Sequence, residues 1–217
     1  MRSGATGKAA AVSAISVRAP RPLLPAAIEN GLTPRQRQVL DELEDLVAGE
    51  GLADATMAQI AARLNCSLRT LYGISPSKDE LVLVVADRRL RRIGREAMAA
   101  LDPEAPPLEA LRAYLKVAHV AVGPSAESFG RELVAVPGAR KQIDLHSEYL
   151  TGVVKSLLDR AVETGAIAEL DTAAIALVLG GLGREFARPE LSARIAKSSG
   201  ETADAVVEIL IRGLETR

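Results

Sequence analysis

Three helix-start signatures lie within residues 33–80 and constrain this chain more than any other feature. Each is a Ser or Thr followed three residues later by Gln or Glu: Thr33-Pro34-Arg35-Gln36, Thr56-Met57-Ala58-Gln59 and Ser77-Lys78-Asp79-Glu80. In this arrangement the hydroxyl accepts from a backbone N–H of the first helical turn, and the longer side chain reaches back to the cap. Pro34 suits the first helical position. Val39, Leu40, Leu43, Leu46 and Val47 then recur at helical spacing, and Gly49 and Gly51 end the run. Ile60, Ala61 and Leu64 form the stripe of a short second helix that Asn65 breaks. Ser67 caps a third helix from Leu68 to about Gly73, and a long fourth helix opens at Ser77 and reaches roughly Leu101. A short helix, a tight turn and another short helix between two longer ones is a helix-turn-helix inside a small bundle.

Helical patterns continue past the linker Asp102-Pro103-Glu104-Ala105-Pro106-Pro107. They cover Leu108–Val122, Ala126–Val136, Gly138–Thr164, Thr172–Ala187 and Glu201–Leu214. Strand-like alternation is missing, so the chain reads as all-α, with about nine helices. The expected organisation is a disordered basic arm over 1–32, a helix-turn-helix domain over 33–77 and a larger helical domain over 78–217. Aromatic residues are only 2% of the chain, so its cores are aliphatic.

Function classes narrow by exclusion. The single cysteine, Cys66, permits no intrachain disulfide, which fits a reducing, cytoplasmic setting. Cys66 itself reads as a buried structural thiol. The longest apolar stretch, Ala173 to Gly183, falls short of the ~20 residues needed to span a bilayer. The weak apolar patch Ala9 to Val17 makes a poor signal peptide and reads as part of a flexible arm. His119 and His146 lack metal-ligand spacing, Ser67 lacks a catalytic constellation, and Gly180-Gly181-Leu182-Gly183 lacks the strand a dinucleotide fingerprint needs. No metal, cofactor or enzymatic activity is expected.

Charge divides unevenly. Residues 1–95 carry a net +4 and residues 96–217 a net −5, so a polyanion would meet the front half. A helix-turn-helix places its second helix in the major groove of DNA, where base edges display distinct donors and acceptors. Here that helix carries Ser67, Arg69, Thr70 and Tyr72, with Leu71 directed inward. Arg69 suits guanine, Thr70 a thymine methyl or a phosphate, and Tyr72 a phosphate. Lys78, in the first turn of the next helix, opposes the helix dipole, a placement that favours a phosphate nearby. The run Arg88, Arg89, Arg91, Arg92 and Arg95 spreads over more than one helical face and reads mainly as solvated or paired charge.

From Val39 to Leu81, about one fifth of the chain, the sequence resembles the TetR/AcrR family of transcription regulators. The resemblance rests on Gly51, Thr56, Ile60 and Ala61, on Ala62-Arg63-Leu64-Asn65-Cys66-Ser67, on Thr70-Leu71-Tyr72, and on Pro76-Ser77-Lys78-Asp79-Glu80-Leu81. It implies that Thr56, Ser67, Arg69, Thr70, Tyr72 and Lys78 face double-stranded operator DNA. It also implies a homodimer through the last two helices and release from a palindromic operator when a small effector binds, usually as a repressor. Gly73-Ile74-Ser75 departs from the family pattern: a phosphate-contacting side chain is missing at Gly73 and Ser75 replaces a core aromatic. That departure motivates an alternative, a TetR-like dimer that has lost DNA reading and serves as a ligand-binding or protein-interaction module. The basic arm ahead of Thr33 could restore affinity through phosphates or the minor groove.

Four of the five aromatics, Tyr114, Phe129, Tyr149 and Phe186, fall in the C-terminal half. With His119 and His146 they give an aliphatic interior a few polar handles, which suits a hydrophobic or amphipathic effector. Tyr114, His119, Phe129, His146 and Tyr149 are therefore the candidate ligand residues. The last helix carries more apolar surface than one buried face requires, and small residues such as Gly180 and Gly183 allow close approach, so this region is the expected dimer face.

Overall fold

The computed structural model describes residues 15, 17–49, 51–52, 55–119, 133, 135–186 and 188–215. Among these, ten helices occur and no multi-residue strand. They are α1 (Ala26–Gly31), α2 (Pro34–Gly49), α3 (Met57–Arg63), α4 (Leu68–Tyr72), α5 (Lys78–Ala99), α6 (Pro107–Ala118), α7 (Ala139–Glu163), α8 (Thr172–Phe186), α9 (Pro189–Ser192) and α10 (Ser199–Leu214). The expected helix over Ala126–Val136, and with it Phe129, lies outside the described residues apart from Leu133 and residues 135–136.

The chain forms two compact units. One gathers the described residues of Pro20–Arg91 and Pro124–Leu145. Its core is built on α2 (Val39, Leu40, Leu43, Val47), joined by Ile60 of α3, Leu71 of α4 and Leu81 of α5. The unit boundary differs from the break at residue 77 expected from sequence. The first part of α5 belongs here because Leu81, Val82, Val84 and Val85 bury their side chains in this core.

The other unit gathers the described residues of Met1–Ala19, Arg92–Gly123 and His146–Arg217. Its core takes Leu111, Tyr114 and Leu115 from α6, Val153, Val154 and Leu158 from α7, Ala176 and Leu179 from α8, and Val207 and Ile211 from α10. Helix α10 begins with a complete capping box. Ser198 accepts from the Glu201 N–H, and Glu201 accepts from the Ser198 N–H at 3.1 Å.

The expected disorder of residues 1–32 does not extend through the described part of that segment. Leu24 and Leu32 are buried in the first core, and α1 lies between them. The Leu23 N–H donates to the Asp87 carboxylate at 3.0 Å, which also accepts from Gln142 Nε2 at 2.6 Å. Arg91 donates to the Pro20 carbonyl at 2.6 Å. In the other unit, Ile15 and Val17 pack against the second core. The Ala- and Pro-rich composition concealed two buried leucines, and gave no sign that the buried Asp87 carboxylate would tie down the backbone at Leu23, just ahead of them. Residues 1–14 and 16, the rest of the arm, lie outside the described residues.

Candidate nucleic-acid interface and effector core

The helix-turn-helix is assembled from local rules. Thr56 caps α3: its Oγ1 accepts from the Gln59 N–H at 3.3 Å, and Gln59 Oε1 accepts from the Thr56 N–H at 2.8 Å. Asn65 takes the left-handed conformation at φ 44°, which Asn tolerates better than most residues. The Cys66 N–H returns to the Ala61 carbonyl at 2.9 Å and the Asn65 N–H to Ala62 at 3.2 Å, the paired bonds of a Schellman ending. Arg35 of α2 reaches the same turn and donates to the carbonyls of Leu64 at 2.7 Å and Asn65 at 3.0 Å. These carbonyls have lost their intrahelical partners, and a guanidinium satisfies two at once. Glu42 pairs with Arg35 at 3.3 Å.

Ser67 then caps α4, accepting from the Thr70 N–H at 3.1 Å. The two hydroxyls also bond each other at 2.9 Å. Leu71 is wholly buried and anchors the helix, whereas Arg69 and Tyr72 project outward, Tyr72 being 53% exposed. Thr70 is half-buried and Ser67 exposed. The structure thus brings Thr56, Ser67, Arg69, Thr70 and Tyr72 together on one helix-turn-helix, with Leu71 inward as expected. We expect Ser67→Ala and Thr56→Ala each to lower stability by about 1 kcal/mol in chemical denaturation, the usual cost of an N-cap hydroxyl.

The other candidates fare differently. Lys78 Nζ donates to the Leu52 carbonyl at 3.3 Å and is half-buried, so it closes the α2–α3 connection. The arginine run of α5 is largely paired. Arg88 meets Glu29 and Asp41, Arg89 meets Glu44 at 3.3 Å, and Arg92 meets Glu96. Cys66 is half-buried beside the first core, and burial pushes its thiol up, away from reactive thiolate character. The departure Gly73-Ile74-Ser75 is absorbed locally: Gly73 is the C-cap of α4, and Ile74 and Ser75 are both buried. Ile74 fills the first core.

In the second unit, Tyr114 is buried, and desolvation reinforced by the neighbouring Tyr149 holds its phenol well above the ordinary tyrosine range. Tyr149 is half-buried and raised for the first of these reasons. His119, at the C-cap of α6, bonds Asp204 of α10 through Nδ1 at 2.5 Å. Its Nε2 is buried and meets no hydrogen-bond partner among the described residues. His146 is half-buried and engaged.

Helices α8 and α10 pack together, and each leaves an apolar stripe outside the core. Leu177 is 67% exposed and Ile209 70%, with Val178 and Leu210 beside them. The reading of Gly180 and Gly183 as the close-approach side of a dimer face needs correction. A Cβ on Gly180 would come within 2.9 Å of both Leu150 and Thr151 of α7, and Gly183 is buried. These small residues serve packing within the chain, and the outward stripe is built from larger ones. Among the described residues, no helix is long and apolar enough to cross a membrane, and no His/Cys/Asp/Glu cluster is arranged to hold a metal ion.

No family model matches the chain. Over 106 residues it is 31% identical to the HTH-type transcriptional regulator BetI of Brucella suis, a match covering 48% of this chain. The chain spans about half the length of the curated relatives it matches, 51% for this one. Solved structures align over most of their length. A TetR transcription regulator from Haloarcula marismortui gives a TM-score of 0.72 at 15% identity, covering 84% of this chain and 98% of that one. The fatty acid degradation regulator FadR from Bacillus halodurans gives 0.67 at 18% identity, covering 85% and 98%. The TetR family regulator PfmR from Thermus thermophilus gives 0.63 at 23% identity, covering 82% and 100%. The resemblance carried by the helix-turn-helix residues therefore extends to the architecture: the chain has the fold of the TetR-family regulators.

Proposed function

We propose that this chain is a ligand-responsive transcription regulator that binds a palindromic operator as a homodimer and releases it when a small hydrophobic or amphipathic molecule binds. The observation that carries this reading is the outward display of Arg69 and Tyr72 on a helix fixed by a buried Leu71 and a Ser67 cap. An exposed arginine on the second helix of such a motif is the side chain best suited to guanine O6 and N7. Thr56, Ser67 and Thr70 would add contacts along the backbone and groove, and Lys78 would hold the turn and lend positive charge. Repression is the expected sense of control, the protein working in the cytoplasm by binding and without turnover.

The apolar stripe of α8 and α10 supports a two-fold pairing that buries Leu177, Val178, Ile209 and Leu210. The effector reading rests on an aliphatic core with few polar handles. Tyr114 and Tyr149 offer phenols, and the orphaned His119 Nε2 offers a buried site for a polar headgroup. An effector acts by favouring a subunit spacing that no longer matches successive grooves. The names of FadR and of a Clostridium perfringens putative fatty acid metabolism regulator are compatible with an amphipathic molecule here.

A mobility shift with DNA flanking the protein's own gene tests the reading. The expected result is a retarded band at low salt that fades steeply as salt rises, since phosphate contacts release counterions. No shift at any salt concentration would contradict it.

A further inference from the structure

The missing side chain at Gly73 is answered from another helix. Gln36, at the third position of α2, accepts through Oε1 from the Thr33 N–H at 2.9 Å and from the Thr33 hydroxyl at 3.1 Å. A backbone N–H requires an acceptor, so these bonds fix which end of the amide faces Thr33. The Nε2 end is left pointing over α4. A Cβ built on Gly73 would come within 2.7 Å of Gln36 Nε2. Gln36 is half-buried, Gly73 is exposed, and the neighbouring Tyr72 and Arg69 project outward. The amide NH2 therefore lies at the C-terminal end of the reading helix, in space that a larger residue at 73 would occupy.

The geometry points to Gln36 as a DNA-backbone contact: its Nε2 donates to a phosphate oxygen beside α4, in the place that a side chain at Gly73 would otherwise fill. Two features make the amide suitable. Its orientation is fixed before binding, so little rotamer freedom is lost when a phosphate arrives. The contact is neutral-to-charged, stronger than a bond between two neutral groups. Gly73 gives the amide access to this face, because any Cβ there would push it aside. This inference rests on the DNA-binding reading above.

Gln36 also closes the capping box of α2, and the variants are chosen to separate the two roles. Gln36→Glu keeps an oxygen for the Thr33 N–H and so keeps the cap. It removes the NH2 donor and sets a carboxylate against the phosphate. We expect unchanged thermal stability and about tenfold or greater loss of affinity. The loss should be similar for a mixed-sequence duplex and for a duplex selected from random oligonucleotides, because phosphate contacts carry no base information. It should shrink as salt screens the added charge. Gly73→Ala should weaken binding a few-fold alone and add nothing in a Gln36→Ala background, the non-additivity of residues sharing one interaction. Wild-type affinity in Gln36→Glu, or fully additive losses in the double variant, would overturn the inference while the regulator reading stands. Failure of the wild-type protein to bind either duplex at low salt would instead remove the regulator reading and this inference together.

Discussion

Replacing Leu177 and Ile209 together by glutamate should leave a folded monomer that no longer holds its operator. The two side chains are 67% and 70% exposed on α8 and α10, so neither carries this chain's own core. Fully burying a large apolar side chain contributes about 1.5–3 kcal/mol. A two-fold interface buries the remaining two thirds of each twice, so on the order of 4–8 kcal/mol of favourable area is at stake before the costs of association. Glutamate removes that area and brings unpaired carboxylates into the same patch, which costs further. A monomer also binds one half-site without the effective concentration that links two, and loses ~10²–10⁴ in apparent affinity. Sedimentation velocity and a DNA titration on the same preparation check both halves, with circular dichroism showing that the helices persist. A double variant that stays dimeric would place the interface elsewhere.

Arg69→Ala should narrow sequence discrimination, and Tyr72→Ala should weaken binding while leaving that discrimination unchanged. A bidentate arginine–guanine pair is worth about 1–3 kcal/mol of discrimination, and a phosphate contact carries no base information. Competition between a selected duplex and a mixed-sequence duplex separates the two: Arg69→Ala narrows the gap and Tyr72→Ala lowers both curves together. Both residues are exposed, so the variants should unfold where the wild type does. Leu71→Ala, one residue away and wholly buried, should instead cost about 2–5 kcal/mol of stability. Equal loss of stability in all three would mean that Arg69 and Tyr72 hold the fold.

The helix-turn-helix was legible in the sequence because its parts are local. The caps at Thr56 and Ser67, the break at Asn65 and the inward Leu71 each follow from chemistry within a few residues. What stayed hidden depends on residues far apart in the chain. Helix α1 was missed because its order comes from Leu24 and Leu32 burying in a core supplied mainly by α2–α5, and from Asp87 accepting the Leu23 N–H. Arg35 gave no sign that it would cross to the carbonyls of Leu64 and Asn65. Gly180 suggested close packing correctly, but its partner is α7 of the same chain. The helix dipole and the family resemblance both point Lys78 at a phosphate, and the Leu52 carbonyl facing it became visible only in three dimensions.

Sequencing the DNA that the purified protein selects from random oligonucleotides tests the central claim most directly. The account predicts an enriched inverted repeat, its half-sites one helical turn of about 34–36 Å or a multiple apart, and a relaxed base preference within each half-site with Arg69→Ala. Selection that enriches no motif, or one that Arg69→Ala enriches equally well, would contradict it.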